Sequence, residues 1–247
     1  CCSFDGHHAT DGYYQPSVPY YRGVFSSFWD RGADSVAVFN WSCAAADAYD
    51  RLGLPPMMKC ASQTEALLEI GDPDAMAGKA MVVAIERRGG YPWAGQAFYR
   101  NEERPLPRRL PEDSTSLRLS LPVTRGSFDC GVDLPLARLR LVLRGGAIPG
   151  DVAVAYDGHV LDLVETDLSW QDGQIYGDDP QPNAGAWQSY ATDNGRQLER
   201  LDLGVPRDLV KDGLSTIDIR LKARQAVPVH VEKVELHLGP HLCCRAV

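Results

Sequence analysis

Long apolar runs are missing from this sequence. No stretch approaches the roughly 18 to 20 consecutive apolar residues of a membrane-spanning helix, and the amino terminus lacks the basic and apolar regions of a secretory signal. A membrane is therefore not an expected partner, and localisation is unmarked. Positive charge is also in short supply. Against 33 Asp and Glu stand 25 Lys and Arg, for a net charge of −8, and that field repels phosphate backbones and anionic lipid heads. Nucleic acid drops out with the membrane. The seven cysteines (Cys1, Cys2, Cys43, Cys60, Cys130, Cys243 and Cys244) form no C-x-x-C pair and have no histidine at zinc-finger spacing. Reduced, partly buried thiols are the plain expectation, with a bridge between the two adjacent pairs left open. There is no G-x-G-x-x-G after a strand, no G-x-x-x-x-G-K-[ST], no H-E-x-x-H and no G-x-S-x-G. No metal and no cofactor is expected.

What is present is ordinary globular composition, 44% hydrophobic and 23% charged over 247 residues, enough for one large domain or two modest ones. The chain opens Cys1-Cys2-Ser3-Phe4 without methionine, as expected of a piece of a longer gene product. From Ser17 to Gly32 the apolar residues Tyr21, Val24, Phe25, Phe28 and Trp29 recur at helical period. Ser17 is placed to cap, Pro19 is tolerated in the first turn and Gly32 supplies the left-handed stop. The run Ser35 to Trp41 is apolar on consecutive positions, as in a parallel strand buried on both faces. With Cys1 to Phe4 as the end of an earlier strand, the order is strand, helix, strand, a βαβ crossover. A second helix is predicted over 62–70, ended by Gly71-Asp72-Pro73, and a further barrel strand over 79–87.

Residues 101–113 carry Pro105, Pro107 and Pro111 among charged neighbours and show no period, so they read as an exposed linker. Beyond it, residues 116–121, 137–143, 151–156, 216–221 and 229–238 alternate apolar with polar, between turn-forming residues. Several half-buried strands at such spacing predict a β-sandwich. The expected organisation is α/β plus all-β. The carboxyl-terminal portion of a (β/α)8 barrel (1–100) and a linker (101–113) precede a β-sandwich (114–247), which around Lys211 to Ile219 resembles jelly-roll or galactose-binding-like sandwiches in outline.

In a parallel α/β barrel the site is built on loops after the carboxyl ends of strands. Two such places occur here: Asp5-Gly6-His7-His8 after the first strand and Asn40-Trp41 after the next. Asp5 is a candidate nucleophile, acid or base, and His7 stands beside it as a second catalytic candidate. His8, Tyr14 and Asn40 are candidate sugar contacts, and Trp41 offers a flat apolar face to a pyranose ring. The competing readings are structural: Asp-Gly is a turn signal, and a tryptophan at a strand end is often core. Glycoside hydrolysis needs two carboxyl groups flanking the bond, and this chain offers one obvious candidate. In the second module Trp170, Tyr176, Trp187 and Tyr190 are either sugar platforms or residues that pin a long loop, while Asp178, Asp179 and Asp193 are either calcium ligands or solvated acids.

The runs Ser3 to His8, Tyr20 to Phe25, Arg31 to Asp34 and Val38 to Trp41, with Ile70 to Pro73 and Arg87 to Trp93, resemble the end of the barrel in bacterial family-10-like glycoside-hydrolase proteins. The resemblance covers roughly the first hundred residues. It implies a carbohydrate-active protein with carbohydrate as partner and the barrel-end residues facing the substrate. An extracellular or periplasmic place would follow for the whole protein. The second module is similar in outline to galactose-binding-like sandwiches, around Lys211 to Ile219. Its alternative role is non-catalytic sugar binding or support of the barrel. No signal of oligomeric state is present.

Overall fold

A computed structural model describes residues 2–5, 16–39, 64–87, 105–124, 137–147, 149–170, 172 and 197–239. It begins with β1 (Cys2–Asp5), α1 (Val18–Asp30) and β2 (Val36–Phe39). The two strands are parallel, in register from Cys2↔Val36 to Asp5↔Phe39, which is the expected βαβ step. Helix α1 starts after Ser17, with proline in its first turn and no side-chain hydrogen bond from the cap. It stops at Gly32, whose φ is +81°. There Ala33 N–H donates to Phe28 O at 3.1 Å and Gly32 N–H to Trp29 O at 2.9 Å, the paired bonds of a Schellman stop.

Of the predicted stripe, Tyr21 and Phe25 are buried and Val24, Phe28 and Trp29 half-buried. Tyr21 and Phe25, with Val18, Phe28 and Trp29 beside them, pack on Ala66 of α2 (Thr64–Glu69), on Ile70, on Met76 of α3 (Pro73–Met76) and on Val36 and Val38. The Trp29 indole N–H donates to Ile70 O at 2.9 Å. Where Gly71-Asp72-Pro73 was expected only to end a helix, Asp72 Oδ1 accepts the Asp74 N–H at 2.9 Å and so starts α3.

The rest is antiparallel β-structure. Ten further strands follow in chain order: β3 (Met81–Ala84), β4 (Arg108–Arg109), β5 (Leu117–Val123), β6 (Ala137–Arg144), β7 (Val152–Tyr156), β8 (His159–Val160), β9 (Asp162–Trp170), β10 (Leu198–Val205), β11 (Gly213–Leu221) and β12 (His230–Leu238). One sheet has the order β3-β12-β6-β10-β9, with β4 also paired to β12; the other has the order β5-β11-β7-β8. The two share one apolar core. Leu139, Leu141, Leu143, Leu201, Leu203, Val234 and Leu236 from the first sheet belong to the same buried cluster as Leu119, Leu121, Val154, Tyr156, Ile217 and Ile219 from the second. Face-to-face packing of antiparallel sheets is thus the sandwich that the alternation predicts.

Two expectations need correction. The strand read over 79–87 as a barrel strand is β3, and it pairs antiparallel with β12, Met81 opposite Leu238 and Ala84 opposite Glu235. Its continuous apolar run reflects burial on two faces, as predicted, but the covers differ. Met81 and Val83 point into the sandwich core, while the other face meets α1, where a Cβ on Gly23 would lie 1.9 Å from Val82 O. Glycine is what lets helix and strand backbones approach so closely. The segment read as an exposed linker also folds onto the sandwich over its described part, 105–113. Leu106 and Leu110 are buried in the core, and Arg108 and Arg109 pair with Val231 and His230. The prolines break periodicity without preventing the leucines between them from packing.

Candidate functional site

Asp5 and Phe39 are register partners at the carboxyl ends of β1 and β2, so the chain leaves both strands at the same end of the pair. That is the end expected to carry chemistry. Of the barrel-end candidates, only the Asp5 backbone falls within the description. The Asp5 side chain, His7, His8, Tyr14, Asn40 and Trp41 lie outside the described residues, as do Tyr176, Trp187, Tyr190, Asp178, Asp179 and Asp193.

A second concentration of chemistry, not found by sequence reasoning, lies on the face of the six-stranded sheet turned away from the sandwich core. Register makes Glu235, Arg140, Asp202 and Glu165 a row of neighbours across four strands. Arg140 grips Asp202 with two bonds, Nε to Oδ1 at 2.8 Å and Nη2 to Oδ2 at 3.0 Å, the bidentate geometry of a strong charge-assisted pair. Arg200 joins Asp202 at 3.5 Å and Glu165 at 2.5 Å. Its guanidinium lies 4.7 Å from the Trp170 ring centroid, and that of Arg140 lies 5.4 Å from it. Trp170, read as a possible sugar platform, is thus engaged by two guanidiniums and by Leu198 and Val142.

A β-bulge between Val231 and Lys233 extends the cluster. Val231 and Val234 both belong to the inner core, so Glu232 and Lys233 share the outer face, an arrangement that strict alternation would forbid. Glu232 accepts from Arg144 at 2.7 Å and Arg87 at 2.9 Å. Lys233 Nζ meets Asp172 at 2.8 Å and Glu235 at 3.9 Å. His237 Nε2 lies 3.0 Å from Glu235 Oε2, and the Tyr20 hydroxyl of α1 donates to the other oxygen of the same carboxylate.

Electrostatics define what this face can do. Burial alone would raise the Glu235 pKa, but the His237 hydrogen bond, Lys233 and the Tyr20 hydroxyl outweigh it and bring it down to about 2. Glu232 is likewise lowered, with burial opposing and Arg87 and Arg144 prevailing. These are fixed anions at neutral pH, so neither is suited to act as a general acid, which requires a raised pKa. The cluster joins and orients. On α1 a matching anchor holds the middle of the helix: Arg22 Nε binds Glu69 at 2.6 Å, Nη2 binds Glu65 at 2.7 Å and Nη1 reaches Ala80 O at 3.1 Å. Among the described residues no group of three or more His, Cys, Asp or Glu is placed to hold a metal ion, and no helix is long and apolar enough to cross a membrane.

The described residues therefore define a class: a parallel α/β step packed on a two-sheet antiparallel sandwich. No family model and no curated protein matches the chain. Among solved structures it is similar to BuGH86 in complex with neoagarooctaose, at 10% identity and a TM-score of 0.33, over 64% of this chain and 19% of that one. It is also similar to BpGH86A, a β-porphyranase of glycoside hydrolase family 86 from the human gut bacterium Bacteroides plebeius, at 17% identity and a TM-score of 0.29, over 53% of this chain and 19% of that one. The chain thus matches about a fifth of the length of either.

Proposed function

We propose that this chain is part of a carbohydrate-active, glycoside-hydrolase-like protein acting on a polysaccharide or glycoside. In this reading β1, α1 and β2 are the end of a (β/α)8 barrel. Asp5 is the acid, base or nucleophile with His7 beside it, and His8, Tyr14, Asn40 and Trp41 contact the sugar. One observation carries it: two parallel strands end together at Asp5 and Phe39, and the sequence at those two exits supplies a carboxylate, imidazoles, a phenol, an amide and an indole. The second carboxylate that glycoside hydrolysis requires would come from another strand end.

The test is a polysaccharide and glycoside screen with the full-length protein, followed by Asp5→Asn and Trp41→Ala. Loss of a general acid or base lowers kcat by about 10²- to 10⁴-fold. Removal of the indole platform is expected to act mainly on KM. Unchanged turnover in both variants refutes the assignment. The rival reading, sugar binding by the sandwich without catalysis, has lost Trp170 as a free platform.

A further inference from the structure

We propose that β3 is a strand shared between two cores, and that it locks the β1–α1–β2 step and the sandwich into one cooperatively folding unit. The sandwich is then a fixed mount for the parallel strands, not a module that moves or folds by itself. This role does not draw on the sugar reading.

Strand β3 is four residues long, and its side chains divide between the two parts. Met81 and Val83, with Ile85 just beyond, enter the core between the sheets. Alternation sends Val82 to the opposite side, where it is 3% exposed although it is not part of that core. Its cover is α1, which approaches so closely that a Cβ on Gly23 would lie 1.9 Å from Val82 O. Arg22, the preceding residue, reaches Ala80 O with Nη1 at 3.1 Å and holds Glu69 of α2 with Nε at 2.6 Å. The outer side of β3 is thus part of the packing of α1 and α2.

The strand is fixed as firmly along its edge. It pairs with β12 from Met81↔Leu238 to Ala84↔Glu235, and the Ile85 N–H donates to Val234 O at 3.0 Å. Just past β12, a Cβ on Gly239 would lie 2.5 Å from Ala80 Cα. The chain then returns to the same strand: Arg108 and Arg109 pair with Val231 and His230, and Leu106 and Leu110 are buried in the core. Moving α1 away from the sandwich therefore entails one of two losses. Either β3 leaves β12 and bares Met81 and Val83, or it stays and bares Val82. A hinge absorbs its change in a few loop or element-terminal residues, and neither loss is of that kind.

Hydrogen exchange on the full chain tests this without any ligand. The slowest amides of α1, from Tyr21 to Phe25, and those of β11 are expected to exchange through the same global opening. Ile217→Val trims the core in the four-stranded sheet, outside the cluster that holds α1. It is expected to speed both sets by the same factor, about 2- to 12-fold. Acceleration in β11 with α1 unchanged overturns the proposal. Gly23→Ala sets a methyl group against β3 and is expected to end the agreement, with α1 amides faster and β11 amides at wild-type rates. Equal acceleration of both sets in Gly23→Ala, or no change in either, shows that the coupling does not pass through β3 and overturns the shared-strand role.

Discussion

The two faces of the six-stranded sheet are buried by opposite means. Toward the sandwich core, Leu139, Leu141, Leu143, Leu201, Leu203 and Leu236 pack on the facing sheet with no polar partner needed. Away from it, Asp202, Glu232 and Glu235 are as inaccessible as those leucines, at 1%, 1% and 5% exposure, yet each is an anion matched to a cation, Arg140, Arg144 and Lys233 in turn. The apolar face gains from area removed from water and is tolerant of detail. The charged face gains little net free energy over an apolar equivalent, but it is intolerant of mismatch, so it fixes which partner lies on it and where.

The comparison predicts a contrast between single and paired substitutions. Asp202→Ala leaves Arg140 and Arg200 without their shared carboxylate and should destabilise by about 3–5 kcal/mol, the loss expected for half of a buried ion pair. Leu141→Ala on the opposite face should cost about 2–5 kcal/mol through lost transfer energy and the cavity left behind. Replacing both Arg140 and Asp202 by apolar residues of similar volume should recover most of the first loss. Denaturant unfolding of the four proteins measures this, and a double variant no more stable than Asp202→Ala would show that the outer face stabilises in its own right.

How far these faces could be read in advance follows from their local regularity. Strand β6 alternates from Ala137 to Leu141, with Val142 the one apolar residue on the outer face, and both its position and its core face were legible. Strand β10 was not, because a register shift between Leu198 and Arg200 and an acid on the inner face, Glu199, break the pattern. Strand β9 escaped for a related reason. It is an edge strand with most of its side chains exposed, including Leu163, Val164 and Leu168, and its register with β10 shifts twice. The run at Met81 to Ala84 announced burial on two faces, but no local signal says whether the second cover is a barrel helix or α1 over a sandwich edge. At the candidate site β2 was readable as a strand from its consecutive apolar residues, although Ala37 is exposed and Val36 and Val38 are only half-buried rather than covered on both faces. Tyr20 meeting Glu235 was not, since nothing in either neighbourhood encodes a contact made by the packing of α1 on the sheet.

Acid titration should separate the outer face from the rest of the molecule. The Glu235 carboxyl titrates at about 2 in the fold against an ordinary 4.5. The folded value is depressed, so the stability it contributes is fully present above about pH 4.5 and is lost as pH falls toward 2. That difference corresponds to about 3 kcal/mol. Glu235→Gln should flatten the stability profile between pH 4.5 and 2 while leaving its shape above pH 6 intact. An unaltered acid limb in the variant would mean that other carboxylates, Glu232 and Glu69 first among them, carry it.

Glu199 provides the sharpest contrast, because it is a charged residue type placed on the apolar face. Leu201 and Leu203 point into the core, and strand alternation sends Glu199 the same way, to 1% exposure. Its pKa is raised by burial, only partly offset by the backbone amides of Gly146 and Ala147. The sign is therefore opposite to that of Glu235: the folded state favours the protonated acid, and stability is lost as pH rises through the folded value. Glu199→Gln keeps the shape and removes the ionisation, so it should match wild type below about pH 4 and exceed it at pH 7 to 8. Melting temperatures of the two proteins across that range decide the matter. A variant less stable than wild type at pH 8 would show instead that the ionised carboxylate is held by the Gly146 and Ala147 amides, and that the inner face, like the outer one, stabilises a buried anion.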